Sequence, residues 1–180
     1  MGLPGSGHGE LNGPYGLAAD AAGNVYVAEL YNHRIQKFTS DGAFITQWGT
    51  FGDGNGQFQY PGEMAVDAAG NVYVPEYNQH WVQQFTDDGI FVSKWGSFGN
   101  APGQFEYPAG VATDAAGDIY VADSNNNRVE KFHPAPPRSR SASTSIPTPS
   151  TSPREVYGSP PSSSPQLPTR RATSRWARFD

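Results

Sequence analysis

The chain has 180 residues, a formal net charge of −5 at pH 7 and no cysteine, which excludes a disulfide framework and a thiol nucleophile. Residues 1–132 carry 5 Lys and Arg against 15 Asp and Glu, a charge of −10, whereas residues 133–180 carry 7 against 2, a charge of +5. The acidic first part repels phosphate backbones, which disfavours nucleic-acid binding there. No signal peptide or apolar run of membrane-helix length, roughly 20 residues, is visible, and the sequence leaves the localisation open.

The dominant feature of the sequence is a phrase that occurs three times at an interval of 47 residues. Its copies open at Asp20, Asp67 and Asp114 and read DAAGNVYVAELYNHRIQKF, DAAGNVYVPEYNQHWVQQF and DAAGDIYVADSNNNRVEKF. Between the copies, a WG dipeptide, an FG dipeptide and a GQF tripeptide also recur in phase. The fold is therefore expected to consist of repeated copies of one structural unit.

Each unit predicts four short strands joined by tight turns. Most of these segments alternate apolar and polar residues under a β-branched and aromatic bias. The breaks between them are Gly, Asn and Asp clusters, including an Asp-Gly pair that tolerates the positive φ of a hairpin turn. The unit is therefore expected to be an antiparallel meander without a helix. In the first copy the predicted strands are 16–20, 25–29, 34–38 and 43–48.

Four-stranded sheets repeated at roughly 40 to 50 residues are typical of β-propeller blades, which bury each other's faces around an axis. The residues also resemble the NHL repeats, whose pattern is Pro-x-Gly-(apolar)-Ala-x-Asp-x-x-Gly-Asn-(apolar)-Tyr-Val-Ala-Asp, then Asn-x-Arg-(apolar)-x-x-Phe. Residues 108–132 fit almost completely, 14–38 closely and 61–85 less well. The resemblance implies an all-β fold, a partial β-propeller of about three four-stranded antiparallel NHL-type blades.

The composition predicts a division of the chain after the third copy. Residues 1–133 are expected to form the propeller segment, with repeats at about 14–60, 61–107 and 108–133, the last incomplete. Residues 134–180 are rich in Pro, Ser, Thr and Arg and are expected to be a disordered tail. A low-complexity linker and a shifted reading frame both account for this tail. The chain is expected to be a fragment of a larger propeller.

Charged residues flank the same tight loop in two of the copies. Glu29 and Arg34 in the first copy, like Asp123 and Arg128 in the third, are expected to meet across the hairpin and fix its geometry. On a partly exposed hairpin each pair is predicted to contribute about 0 to 1 kcal/mol. The second copy has Glu76 but places Trp81 at the arginine position, and Pro75 removes a backbone donor within a strand. The second blade is therefore predicted to be the weakest or the most diverged of the three.

The sequence does not indicate catalytic or metal chemistry. His33 and His80 share a repeat position that holds Asn127 in the third copy, which favours a turn residue over a metal ligand. The aspartates that open each copy are interpreted as turn-formers whose carboxylates accept backbone amides, in preference to calcium ligands. We therefore expect no catalytic residue, no metal and no cofactor.

The loop after the second strand of each unit is the candidate binding surface. Its amide, imidazole and phenol groups are suited to hydrogen bonds with a protein or a polar small ligand. The leading hypothesis is a non-catalytic binding or scaffold module. The alternative, which the family resemblance also allows, is a propeller enzyme of lactonase or amidating-lyase type with a metal in the channel. The candidate contacts are Tyr31, Asn32, His33, Asn78, Gln79, His80, Asn125, Asn126 and Asn127.

Three blades are fewer than the 4 to 8 that usually close a propeller. The first and last sheets would then expose apolar faces, and such faces drive association. Two copies are expected to be able to close head to tail into one six-bladed ring. The sequence therefore predicts self-association through the open blade faces.

Overall fold

The computed structural model describes residues 2–133. The prediction of a disordered tail over 134–180 lies outside the described residues. Within 2–133 there are strands and turns but no helix, and so no helix that is long and apolar enough to cross a membrane. In chain order the strands are β1 (Leu3–Pro4), β2 (Glu10–Leu11), β3 (Pro14–Ala19), β4 (Val25–Glu29), β5 (Arg34–Phe38), β6 (Phe44–Trp48), β7 (Ala65–Val66), β8 (Val72–Glu76), β9 (Trp81–Phe85), β10 (Phe91–Trp95), β11 (Pro108–Thr113), β12 (Ile119–Asp123) and β13 (Arg128–Phe132).

The strands form three antiparallel meanders, one for each copy of the repeat. Blade one has the order β3-β4-β5-β6, blade two β7-β8-β9-β10 and blade three β11-β12-β13. The short β1 and β2 pair in parallel at the N-terminal end. The fold is therefore the predicted all-β arrangement of propeller blades, in which blade three has three strands within the described residues.

In each meander, a turn built around the repeated aspartate joins the first strand to the second. Asp20 Oδ1 accepts the backbone N–H groups of Ala22 and Asn24 at 3.0 and 2.8 Å, and the Tyr26 hydroxyl donates to Oδ2 at 3.2 Å. The second and third copies repeat this set, with tyrosine–aspartate distances of 2.9 Å in both. The turn-forming role that the sequence predicts for these aspartates is confirmed.

The core lies between successive blades. One cluster joins Tyr26, Ala28 and Ile35 of blade one to Met64 and Phe85 of blade two, and all five side chains are buried. The second cluster repeats this arrangement between blades two and three. Its members are Tyr73, Val82, Trp95, Phe105, Ile119, Val121 and Phe132.

The first strands of the three meanders approach one another closely. A Cβ atom on Gly16 would lie 2.2 Å from the Gly62 carbonyl oxygen, and one on Gly62 would lie 2.5 Å from that of Ala109. These glycines therefore allow a backbone approach that no side chain would permit. Glu63 also donates its N–H to the Ala109 carbonyl at 3.0 Å, which ties blade two to blade three.

Blade two has the shortest first strand of the three meanders. β7 covers two residues, whereas β3 and β11 each cover six. Pro75 lies in the neighbouring β8 and has no N–H to donate, so the ladder between the two strands is interrupted there. The carbonyl of Pro75 still accepts the N–H of Gly62 at 2.8 Å.

Candidate functional site

The candidate site lies on the edge of the blades where the second strand of each meander ends. The strands before and after this edge are antiparallel, since Pro14 pairs with Glu29 and Pro108 with Asp123. The loops that follow the second strands therefore share one edge of their sheets with the segments that lead into the first strands. We call this edge the loop face, and it comprises residues 12–15, 30–33, 59–62, 77–80, 106–109 and 124–127.

A cleft of about 230 Å³ opens on the loop face where the three first strands meet. Gly62 and Ala109 form part of its wall at the same repeat position as Tyr15. Three tyrosines border it, and their exposed fractions are 56% for Tyr15, 47% for Tyr60 and 40% for Tyr77. The lining residues are Tyr15, Leu30, Tyr60, Pro61, Gly62, Tyr77 and Ala109.

Two of the three cleft tyrosines, Tyr15 and Tyr77, differ between the repeats, which is why the repeat pattern did not select them. The position of Tyr15 holds Gly62 and Ala109 in the other copies, and all three residues line the cleft. Tyr77 also stacks obliquely on Tyr107, with ring centroids 4.9 Å apart. The available sequence signal was the pair of aromatic residues that break the repeat, one inside its Pro-x-Gly element and one after its second strand.

The predicted loop residues divide into exposed and internally bonded groups. Tyr31, Asn78 and Asn125 are exposed on the loop face. The Asn32 amide instead donates to the Gly5 carbonyl at 3.0 Å and to Glu29 at 2.6 Å. Asn126 makes the equivalent bonds in blade three, at 2.9 and 2.8 Å. The Asn32 and Asn126 amides therefore hold the inter-blade loops.

The histidine position is a strained turn position. His33, His80 and Asn127 have φ values of 52°, 59° and 53°, in the left-handed region. His33 Nδ1 lies 3.0 Å from the Gln59 carbonyl oxygen, whereas His80 Nδ1 accepts the N–H of Tyr107 at 3.1 Å. Each imidazole thus connects its own blade to the segment that enters the next one.

The loop between Gly5 and Leu11 is anchored by one arginine. Arg34 Nε donates to Glu29 Oε2 at 2.6 Å, and the two side chains are buried. Its terminal nitrogens donate to the carbonyl oxygens of Ser6, Gly7 and Glu10 at 2.7 to 3.0 Å and to Gln47 Oε1 at 2.9 Å. The expectation of a partly exposed pair is therefore wrong for blade one, because the arginine is covered by the loop that it binds.

Blade three repeats this anchor closer to solvent. Arg128 Nε donates to Asp123 Oδ2 at 2.8 Å, and the arginine side chain is 27% exposed. Its terminal nitrogens bond the carbonyl oxygens of Asn100, Ala101 and Gln104 at 2.7 to 3.2 Å. The description of a partly exposed hairpin fits this blade, although the aspartate itself is fully buried.

Blade two keeps the buried carboxylate and lacks the cation. Glu76 Oε2 accepts the N–H groups of Gln59 and Tyr60 at 2.9 and 3.3 Å, but among the described residues Glu76 Oε1 has no hydrogen-bond partner, and neither does Trp81 Nε1. Burial raises the pKa of Glu76 to about 7, against the effect of the two N–H donors. The Trp81 ring instead lies under Lys94 Nζ, 3.9 Å from the ring centroid. Within residues 2–133, Glu76 is thus a buried carboxylate without a counter-charge.

The acidic and histidine side chains within residues 2–133 do not cluster into a metal site. Within this range no group of three or more His, Cys, Asp or Glu side chains could hold a metal ion. His33 and His80 belong to successive blades and bond backbone groups there. The structure therefore does not bring the two histidines that share a repeat position together as a ligand set.

Solved structures of other proteins share this fold. The three meanders are blades of β-propeller type, and the solved structures with the same fold include virginiamycin B lyase from Staphylococcus aureus in an inactive H270A form with quinupristin. That structure has a TM-score of 0.54 and 20% identity, over 74% of this chain and 41% of the lyase chain. A structure of a nidogen/laminin complex has a TM-score of 0.50 and 19% identity, over 66% of this chain and 43% of the other.

The sequence comparisons identify the repeats. Residues 11–38 and 105–132 match the NHL repeat model. Protein lin-41 from Caenorhabditis elegans is 47% identical over 47 residues, which are 26% of this chain and 4% of lin-41. The protein therefore carries NHL repeats arranged as propeller blades. The chain spans about two fifths of the two solved structures and a small part of lin-41.

Proposed function

We propose that this protein is a non-catalytic NHL-repeat binding module, which takes a protein segment or a polar ligand on the loop face. The tyrosine cleft carries this proposal. It offers three partly exposed phenol rings beside the small residues Gly62 and Ala109. Tyrosine combines a large apolar contact with a hydroxyl and is enriched at binding hot spots. Tyr31, Asn78 and Asn125 extend the loop face with further exposed phenol and amide groups.

The fold alone does not choose between binding and catalysis. Structures with this fold include virginiamycin B lyase with quinupristin and a nidogen/laminin complex. Binding is favoured here by the local chemistry, because the histidines proposed for a channel metal bond backbone groups in separate blades. A cleft lined by aromatic and small residues is suited to recognition of an apolar or aromatic group.

A peptide selection tests the proposal with a defined probe. The full chain is immobilised and a random peptide library displayed on phage is selected against it. We expect enriched peptides whose affinity falls about tenfold or more in Tyr15→Ala and Tyr77→Ala, because each change removes a ring from the cleft. Ile90→Ala is the matched control, since Ile90 is 66% exposed and does not line the cleft.

Two outcomes would contradict the proposal. Enriched peptides that bind both tyrosine variants as tightly as the parent protein would place recognition away from the cleft. Metal-dependent hydrolysis of a lactone by the purified chain would favour the lactonase-type alternative.

A further inference from the structure

The outer edge of blade three is open within residues 2–133. In blades one and two the third strand pairs with a fourth, β6 or β10, whereas β13 pairs with β12 alone. An edge strand presents unpaired N–H and C=O groups, which can pair with a further strand. Blades one and two therefore show what this edge is suited to receive.

The fourth strands of blades one and two share one pattern and one register. Each starts with a phenylalanine and ends with a tryptophan four residues later. Between them the register slips by one residue, which turns the two rings to opposite faces of the blade. The pairs with the third strand are Phe44 with Phe38 and Trp48 with Ile35 in blade one, and Phe91 with Phe85 and Trp95 with Val82 in blade two.

The tryptophan packs on the tyrosine of its own blade. Trp48 meets Tyr26 edge-on, with ring centroids 6.3 Å apart, and blade two repeats this contact at 6.2 Å. Tyr120 is the equivalent tyrosine of blade three, and it is partly exposed, whereas Tyr26 is fully buried. Val129 occupies the position that pairs with the tryptophan and is 66% exposed. Blade three therefore keeps the residues that receive a tryptophan and leaves them open to solvent.

The phenylalanine packs on the opposite side of the blade. Phe44 meets Phe38 nearly at right angles, with ring centroids 6.2 Å apart, and blade two repeats this geometry at 6.0 Å. Phe132 is the equivalent of Phe38 in blade three, and no fourth-strand phenylalanine reaches it within the described part of the chain. Phe132 is thus a second anchor point for an added strand.

A polar contact lies between the two aromatic anchors. Gln47 of the fourth strand accepts a hydrogen bond from Arg34 Nη1 at 2.9 Å, and the Arg34 side chain is 7% exposed. Arg128, its counterpart in blade three, is 27% exposed. A strand with an amide at the position of Gln47 would cover Arg128 as Gln47 covers Arg34.

We propose that the outer edge of β13 binds an extended segment of a separate polypeptide, which pairs with it antiparallel as a fourth strand. The segment carries a phenylalanine and, four residues later, a tryptophan, in the register that β6 and β10 show. Backbone hydrogen bonds provide affinity in this mode of recognition, and the side-chain anchors provide specificity. The proposal is independent of any ligand on the loop face.

The sequence of the chain favours a separate polypeptide as the source of the segment. Residues 134–180 contain one tryptophan, Trp176, and one phenylalanine, Phe179, in the reverse order and three residues apart. The same residues are rich in proline, which lacks the N–H that strand pairing uses. A second copy offers the pattern only in β6 and β10, which are already paired within their own blades.

A labelled peptide with the sequence of residues 39–50 tests the proposal. Fluorescence anisotropy measures its binding to the full chain. We expect saturable binding that weakens at least about tenfold when the peptide carries Phe44→Ala or Trp48→Ala, because each change removes one aromatic anchor. A peptide with the same residues in scrambled order is the control.

A pair of protein variants tests the position of the peptide. Val129→Glu should weaken binding at least about tenfold, because it places a carboxylate where the tryptophan ring packs. Ile90→Glu is the matched control and should bind as the parent does, since Ile90 is also 66% exposed and lies in blade two. Circular dichroism confirms that both variants are folded.

Hydrogen exchange locates the bound peptide. We expect saturating peptide to slow amide exchange in β13 at least about tenfold and to leave β5 and β9 unchanged, because β6 and β10 already cover those strands. Two results would overturn the proposal: a full chain that shows no saturable binding, or a peptide whose affinity survives the loss of both aromatic rings. Protection confined to the loop face would also overturn it, and would instead support the function proposed for that surface.

Discussion

Blades one and two differ at the arginine position of the repeat, which holds Arg34 in blade one and Trp81 in blade two. This difference explains what the Asn-x-Arg element of the repeat does. In blade one, Glu29 is neutralised by Arg34, which also binds three carbonyl groups of the preceding loop. In blade two, Glu76 is equally buried, but Trp81 cannot supply a charge, and one carboxylate oxygen has no partner. The arginine therefore has two functions, because it neutralises a buried carboxylate and fastens the loop that enters the blade.

The largest effect is expected from removing the cation of blade one. Arg34→Ala leaves Glu29 buried and unpaired and frees the loop carbonyl groups, which should cost about 3 to 5 kcal/mol of unfolding free energy. Urea unfolding followed by tryptophan fluorescence measures the change. A loss below about 1 kcal/mol would mean that the pair behaves as a surface salt bridge.

The next largest effect is a pH dependence from Glu76. Its folded-state pKa of about 7 lies above its ordinary value of 4.5, so the folded state binds the proton more tightly. Glu76 does not lower the unfolding free energy below about pH 4.5, where it is protonated in both states. The loss grows as the pH rises and levels off above about pH 7, at about 3 kcal/mol. Glu76→Gln should remove this part of the pH dependence of the unfolding free energy. An unchanged pH profile in that variant would contradict the assignment.

A smaller loss is expected for Arg128→Ala. The arginine is 27% exposed, so water can partly solvate Asp123 when the guanidinium is removed. We expect a cost of about 1 to 2 kcal/mol, with the domain still folded. Comparing the urea midpoints of Arg128→Ala and Arg34→Ala measures how much of the anchor's effect depends on burial. Equal losses of unfolding free energy in the two variants would show that burial of the arginine does not determine how much it stabilises the blade.

The smallest net effect is expected for Trp81→Arg, which introduces the missing cation. The new guanidinium should pair with Glu76 and gain about 1 to 2 kcal/mol at pH 8, partly offset by the lost contact between Lys94 and the Trp81 ring. Thermal unfolding at pH 5 and pH 8 is the measurement. Trp81→Phe is the control, because it adds no charge. A large loss of stability in Trp81→Arg alone would show that the ring is required for packing.

The repeat pattern predicted the fold because each local signal was present three times. The aspartate turns and the strand boundaries follow from nearest-neighbour chemistry, and the 47-residue phase aligns Tyr26, Tyr73 and Tyr120 in successive blades. The burial of Glu29 and Arg34 was not predicted. It depends on the loop of residues 5–11, which folds over the hairpin from 24 to 28 positions away in sequence.

The candidate site was only partly predictable for a related reason. Sequence reasoning selected residues that recur at each loop, and the recurrence of Asn32 and Asn126 reflects a shared structural bond to the buried acid. The cleft instead depends in part on Tyr15 and Tyr77, which break the repeat, beside Tyr60, which recurs as Tyr107. In a repeat protein the common residues maintain the blade, whereas a binding surface is built from the residues that differ between blades.

Amide hydrogen exchange at two matched glycines tests the central comparison most directly. The N–H groups of Gly9 and Gly56 occupy the same repeat position in blades one and two, and each donates to the side-chain oxygen of an equivalent glutamine, Gln36 or Gln83, at 2.9 Å. Of these two loops, only the one that contains Gly9 is also held by an arginine. We predict that Gly56 exchanges at least about tenfold faster than Gly9, corresponding to about 1.4 kcal/mol of local stability, and that Trp81→Arg removes the difference. Equal exchange rates in the parent protein would contradict the role of the arginine as a loop anchor.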